Sequence, residues 1–263
     1  MQSSLESPEW LAAVGAAIAA RDAAGRAAAL VEAIGAVVMH EGTCLLAFYR
    51  DAGPEVLHHS LEPEGRRHYL DRYLAGPYLL DPLYQLALGQ EKPSLCRFRD
   101  AVPDRFRSSE YYRQYCERTH LLDEMDFLAD VAEDTTVALV VGRRTRMFTR
   151  SELQRLAQIE PVVQAAMRRI WLDHAERRRG PRGEAMHRRL TECFERFGES
   201  MLTERERQIS QLLLKGHSSK SVARELGIAP GTVMVHKRNL FAKLGISSQY
   251  ELFSRFIGEL GAG

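Results

Sequence analysis

Apolar residues recur along this chain with two periods, and the change between them marks out its parts. From Pro8 to about Ala36 the anchors Trp10, Val14, Ile18, Leu30 and Ile34 fall at helical spacing and predict one or two helices. Thr43 to Tyr49 reads instead as a strand, Asp51-Ala-Gly-Pro marks a turn, and Glu55 to Ser60 returns as a second strand, making a hairpin. Residues 64–90 read as helical, broken around Gly76-Pro77 and again at Asp81-Pro82. Cys96 to Phe98 fits a short strand, and residues 108–119 a helix rich in Tyr and Arg. Glu124 to Ala132 and Thr136 to Gly142 add two strands across a short turn. Thr149 then opens a long amphipathic helix through Ile159, Val162, Val163, Met167 and Ile170 to about Trp171. About five strands with helices before, between and after predict an α-β-α sandwich around an antiparallel sheet. Hairpin-length turns at two places disfavour a parallel, doubly wound topology.

Beyond this point the strand signal stops. His174 to Gly183 is charged and contains Gly and Pro, as an exposed linker would, and residues 184–197 predict a bracing helix. Thr203 and Glu206 have the spacing of a capping box, followed at helical intervals by Ile209, Leu212 and Leu213, with Gly216 as a left-handed cap. Ser218 or Ser219 restarts a short helix that turns Val222, Ala223 and Leu226 inward; Gly227 makes a tight turn, and Pro230 begins a helix to Leu244. Ser248 and Glu251 form a second capping box for a last helix bearing Tyr250, Leu252, Phe253, Phe256 and Ile257. Two short helices joined by a Gly-containing turn make a helix-turn-helix, whose second helix enters the major groove of double-stranded DNA. The expected class is therefore α+β. Residues 1–173 form a sandwich domain, 174–197 a linker and brace, and 198–263 a four-helix, all-α helix-turn-helix domain.

Charge supports the division. Residues 201–263 carry nine Lys and Arg against five Asp and Glu, while the whole chain carries a net charge of only +1. A basic small domain on a slightly acidic larger one fits a DNA reader with a second module, not a protein that coats nucleic acid along its length. Cys44, Cys96, Cys116 and Cys193 are scattered, with no C-x-x-C pair and no His at metal-ligand offsets, so buried thiols in a reducing compartment are expected rather than disulfides or a metal. The Ala-rich run from Ala12 to Ala20 is too short to span a bilayer and is closed by Arg21 and Asp22, which predicts a soluble, cytoplasmic protein. No Gly-rich phosphate loop or triad spacing appears; no catalytic residue and no cofactor are expected.

Helical geometry assigns roles on the Pro230–Leu244 helix. Val233, Leu240 and Leu244 share the inward face, toward Ile209, Leu213 and Leu226. Met234, Val235 and Arg238 fall opposite, toward base edges: Arg238 suits the bidentate contact to guanine, and the other two offer apolar contact such as to a thymine methyl. Lys220, Thr232 and Lys237 are the expected phosphate contacts, and Ser219 is a further expected DNA contact. His236 is expected to pack rather than read bases, and Arg177-Arg-Arg to be solvated linker rather than a phosphate contact.

Residues 198–262 resemble the LuxR-type DNA-binding domain. The match rests on Leu202-Thr203-Glu204-Arg205-Glu206, Gly216-x-Ser218-Ser219-Lys220, Val222-Ala223, Leu226-x-Ile228, Thr232-Val233, His236, Asn239-Leu240 and Lys243-Leu244-Gly245-Ile246. The chain departs from that pattern at Met234, where a Lys is frequent, at Ala229, where a capping Ser is frequent, and at Gln249. The resemblance implies a regulator that pairs with its own copy, partly through the last helix, and reads an inverted repeat; RNA polymerase is a further candidate partner. No receiver-like set of acidic residues appears in residues 1–150, which argues against phosphorelay control.

More loosely, residues 10–172 resemble the autoinducer-binding domain of quorum-sensing LuxR proteins and related GAF/PAS-like sensors, through His68-Tyr-Leu-Asp-Arg-Tyr, Leu80-Asp-Pro-Leu-Tyr, Pro93 and Ser109-Glu-Tyr-Tyr. That resemblance implies a small-molecule effector held by Asp81, with Tyr69, Tyr73, Tyr78 and Tyr84 as pocket walls. His68 stands where acyl-homoserine-lactone binders have Trp, which points toward another ligand, such as an amine or amino-acid derivative. Two alternatives stand beside it. Asp81-Pro82 also suits a plain helix-starting turn with core tyrosines, and the large domain also suits a dimerisation or protein-partner module with no small-molecule ligand.

Overall fold

The computed structural model describes residues 7–177 and 184–262, which form two compact units. The first comprises residues up to His68, Leu86–Ala101 and Leu121 to the end of the long central helix. Its five strands, β1 (Gly42–Tyr49), β2 (Glu55–His59), β3 (Leu95–Arg97), β4 (Asp123–Ala132) and β5 (Thr135–Arg143), form one sheet in the order β2-β1-β5-β4-β3. Every neighbouring pair is antiparallel. Leu45, Leu139 and Phe127 lie in register across three strands, as do Ala47, Val137 and Ala129. This face is buried under three helices, α1 (Pro8–Ala19), α2 (Ala23–Val37) and α3 (Arg150–Arg177). The opposite face, with Leu46, Phe48, Leu128 and Ala138, is buried too. There the Thr136 hydroxyl donates to the Ala87 carbonyl at 2.9 Å. Class and layering are those expected, α+β around an antiparallel sheet.

Side-chain caps explain where the helices begin. Ser7 accepts from the Trp10 N–H at 3.1 Å, and Asp22 from that of Gly25 at 2.8 Å. Thr149 and Glu152 cap α3 reciprocally, Glu152 accepting the Thr149 N–H at 2.8 Å and Thr149 that of Glu152 at 3.3 Å. The same Glu152 carboxylate accepts from the fully buried Arg143, whose guanidinium lies 4.3 Å from the Phe148 ring centroid. Helix α3 continues past the expected end at Trp171 to Arg177, so His174 belongs to the helix and pairs with Glu55 at 3.2 Å. The remainder of the expected linker, residues 178–183, lies outside the described residues, as do Arg178 and Arg179 of the basic run. Ile18 and Val162 are exposed although helical spacing made them anchors; the buried stripes run through Trp10 and Ala17 on α1, and through Ile159 and Val163 on α3.

The second unit joins three separate stretches: Tyr69–Gln85, Val102–His120 and the helical tail from Glu184. The first two precede the linker in sequence. Helical pieces here are short and irregular, a 3-10 turn Pro77–Leu80 and a π-helical turn Tyr112–Cys116, with a π-helical turn Arg66–Asp71 and the helix Pro82–Ala87 running across the ends of the first stretch. The tail holds α4 (Glu184–Arg196), α5 (Glu204–Leu214), α6 (Ser219–Glu225), α7 (Pro230–Leu244) and α8 (Gln249–Ala262). Phe256 of α8 meets Phe194 and Phe197 edge-on, each at 5.5 Å between centroids. Leu252, Phe253 and Phe256 are thereby buried within the protomer, so the apolar face of α8 completes this core.

Candidate nucleic-acid interface and sensor segment

The helix-turn-helix is built as its caps dictate. Glu206 accepts the Thr203 N–H at 2.9 Å while Thr203 accepts that of Glu206 at 3.4 Å, and the same carboxylate takes the Lys243 ammonium of α7 at 2.7 Å. One buried side chain therefore ties the start of α5 to the end of α7. Burial would raise its pKa, but the bonds from Lys243 and Thr203 prevail and hold the carboxyl below its usual range. Ser218 caps α6, accepting from the Ser221 N–H at 3.1 Å. In the second capping box Glu251 reaches one residue further back than expected, accepting from the Ser247 N–H at 2.9 Å, while Ser248 serves the Glu251 N–H at 3.2 Å. Helix α7 starts at Pro230 behind Ala229, which offers no side-chain cap.

Helix α7 turns Val233, Leu240 and Leu244 into the core, as its spacing requires. Met234 is 65% and Val235 47% exposed, and Thr232 and Arg238 are exposed beside them. His236 is half-buried. Lys220 is exposed, Ser219 half-buried, and Lys237 is half-buried with its ammonium 5.3 Å from the Phe241 ring centroid. All seven expected contacts thus lie on α6 or α7. Pairing of the charges separates two faces. Lys243 is bound to Glu206, Arg207 to Glu204, and Arg205 to the Gln208 side chain at 2.9 Å. Lys220, Arg224, Lys237 and Arg238 have no carboxylate partner among the described residues. Arg224 was not singled out from the sequence; its place on α6 beside Lys220 is the signal that identifies it.

The Tyr69–Tyr84 segment brings four of its five expected residues together. The Tyr73 hydroxyl donates to Asp81 at 2.8 Å, and the Leu83 N–H donates to the other carboxylate oxygen at 2.9 Å. Tyr78 lies edge-on to Tyr73 at 6.1 Å and to Tyr84 at 5.2 Å. Tyr69 sits half-buried on the π-helical turn that precedes them. Burial pushes the Asp81 carboxyl up to about 6, against the hydrogen bonds from Tyr73 and Leu83. The partner that sequence reasoning missed is His187 of α4. The Tyr78 hydroxyl is 2.8 Å from its Nδ1, and the two rings stack at 6.0 Å. The four cysteines are free, and burial pushes the Cys44 and Cys96 thiols up to about 12. No helix among the described residues is long and apolar enough to cross a membrane.

Comparison with known proteins agrees with this geometry. Residues 200–256, from α5 into α8, match the model of the bacterial regulatory proteins of the luxR family. An HTH-type transcriptional regulator in the exeN 3′ region of Aeromonas salmonicida is 31% identical over 57% of this chain and 80% of its own length. The monoamine regulon transcriptional regulator of Klebsiella aerogenes is 25% identical over 75% of this chain and 74% of its own. In fold, the crystal structure of the VqsR LBD domain from Pseudomonas aeruginosa aligns with a TM-score of 0.57 at 24% identity, covering 64% of this chain and 99% of that one. With unpaired cations and exposed apolar side chains on its recognition helix, and a relative matched over most of its length, the chain belongs to the luxR family of DNA-binding transcriptional regulators.

Proposed function

We propose that α7 reads base edges through Met234, Val235 and Arg238, while Ser219, Lys220, Thr232 and Lys237 fix the register on phosphates. The observation that carries this reading is that Lys220, Lys237 and Arg238, with Arg224, lack a carboxylate partner among the described residues and lie with two exposed apolar residues on α6 and α7, whereas Lys243 and Arg207 are paired. Two protomers with two-fold symmetry would place their α7 helices about one turn of duplex apart on an inverted repeat, with RNA polymerase as the downstream partner. The chain acts in the cytoplasm as a regulator and not as an enzyme. In domain terms, residues 1–173 sense, 174–197 connect and 198–263 read DNA.

The test is a duplex selected from random sequence, titrated over a range of salt. Arg238→Ala should cost roughly 1–3 kcal/mol on the selected duplex and little on random DNA, whereas Lys220→Ala should weaken both alike and flatten the salt dependence. Equal losses on both duplexes for Arg238→Ala would remove the base-reading role.

For control, the proposal is a small-molecule effector at Asp81, walled by Tyr69, Tyr73, Tyr78 and Tyr84. An effector that bound one arrangement of this cluster better than another would shift the regulator between states of different DNA affinity. The engagement of both Asp81 oxygens with Tyr73 and Leu83 favours a second reading, a structural turn in a dimerisation or partner module. A thermal-shift screen separates the two, since a ligand at 100 times its Kd adds about 2.7 kcal/mol. Amines come first, because one relative governs a monoamine regulon.

A further inference from the structure

A loop remote in sequence is fastened to the turn between α5 and α6. The Asp104 carboxylate accepts from the Ser218 N–H at 3.0 Å and from the Ser218 hydroxyl. The Arg105 N–H donates to the Gly216 carbonyl at 3.2 Å. Gly216 has a φ of 91°, and a Cβ there would lie 3.0 Å from Phe106 Cα, so the loop backbone meets the turn at a point only glycine accommodates. Phe106 is buried, which anchors the loop on its other side. The side chain of Arg105 is left exposed, with no carboxylate partner among the described residues.

Lys237 of α7 feels the Arg105 charge: burial lowers the ammonium pKa, and Arg105 lowers it further. Asp104, the nearest acid in sequence, is already committed to Ser218. The loop that carries Arg105 is thus bonded to Ser218, the residue before Ser219 and Lys220, and its charge reaches Lys237, all three assigned to phosphates. Like charges acting on each other without an anion cost free energy, and phosphates brought up to them would recover it.

We infer that Arg105 is a DNA-backbone contact supplied from outside the helix-turn-helix, on a loop held against it by Asp104 and Gly216, and that it neutralises a phosphate of the bound duplex in addition to the one assigned to Lys237. This rests on the DNA-interface assignment above. Counterion release gives the expected size: one phosphate contact contributes about 0.9 to the slope of log affinity against log salt, or about eightfold at 0.1 M salt. In full-length protein, Arg105→Ala should reduce the slope by about that amount and weaken selected and random duplexes equally. Arg105→Lys should restore most of both. Because the side chain is exposed, its removal leaves the packing in place. An unchanged slope overturns the inference, and so does tighter binding by Arg105→Ala, which would make the loop an obstruction. Arg238→Ala in the same titration separates the two levels. If it loses selectivity while Arg105→Ala behaves as wild type, only the loop contact falls; if wild type itself shows no salt-dependent binding, the interface falls with it.

Discussion

Glu206 offers the sharpest test of how the recognition helix is held. Its carboxylate is 4% exposed, accepts the Thr203 N–H at the start of α5 and binds Lys243 near the end of α7. Two substitutions divide its roles. Glu206→Gln keeps an oxygen for the Thr203 N–H but removes the ion pair; Glu206→Ala removes both. A charge-assisted hydrogen bond contributes roughly 1.5–3 kcal/mol when both partners are dry. Lys243 is 39% exposed and can rehydrate, which reduces this to about 1 kcal/mol. Loss of the cap adds about 1 kcal/mol. Glu206→Gln should therefore speed opening-limited amide exchange in α5 and α7 by about fivefold, and Glu206→Ala by about 30-fold, as read by native-state hydrogen exchange. The pH dependence has a definite sign. Because the folded pKa is depressed, the wild-type contribution is present at neutral pH and is lost as pH falls through the folded value. Glu206→Gln should lack that loss. Exchange rates within twofold of wild type for Glu206→Ala would refute the idea that this residue fixes α7.

Asp81 should behave in the opposite sense. Its folded pKa of about 6 lies above the ordinary 3.8, so the contribution is complete below about pH 4 and is lost as pH rises through 6. Relative to wild type, Asp81→Asn should gain up to about 3 kcal/mol between pH 4 and 7.5 in denaturation of the full chain; a constant difference would contradict the burial argument. Glu152→Gln leaves the buried Arg143 guanidinium without its carboxylate and should cost about 3–5 kcal/mol, visible in urea unfolding by the fluorescence of Trp10 and Trp171, which share that unit. A loss under 1 kcal/mol would mean that the Met39 carbonyl, which accepts from Arg143 Nε at 3.0 Å, suffices for the guanidinium.

Where period and punctuation agree, sequence and structure coincide closely. The strands fall within a residue of their expected bounds, and α7 runs from Pro230 to Leu244 as proline and Gly245 demand. The inward trio Val233, Leu240 and Leu244 and the outward Met234 and Val235 follow from helical geometry alone. Residues 64–90 were less legible because Gly76-Pro77 and Asp81-Pro82 break the pattern into turns too short to show a period. Helix α8 illustrates another limit. Its apolar face was equally suited to a core or to a second protomer, and only the positions of Phe194 and Phe197 decide between them. The bonds from Tyr78 to His187 and from Asp104 to Ser218 join residues more than a hundred positions apart, and no local pattern encodes such partners.

The three-part construction of the second unit limits how this regulator can be divided. A tail severed at residue 198 would strip Phe256 of both its edge-on rings, and the Gln211 amide of the Phe194 carbonyl it meets at 3.3 Å. Starting instead at Glu184 restores those but strands His187 and Leu190, whose neighbours Tyr78 and Gly76 come from far upstream. Transplanting the DNA reader onto a foreign partner thus requires moving pieces of the front half as well, and recombination between residues 177 and 184 alone would leave His187 without the Tyr78 ring it stacks on.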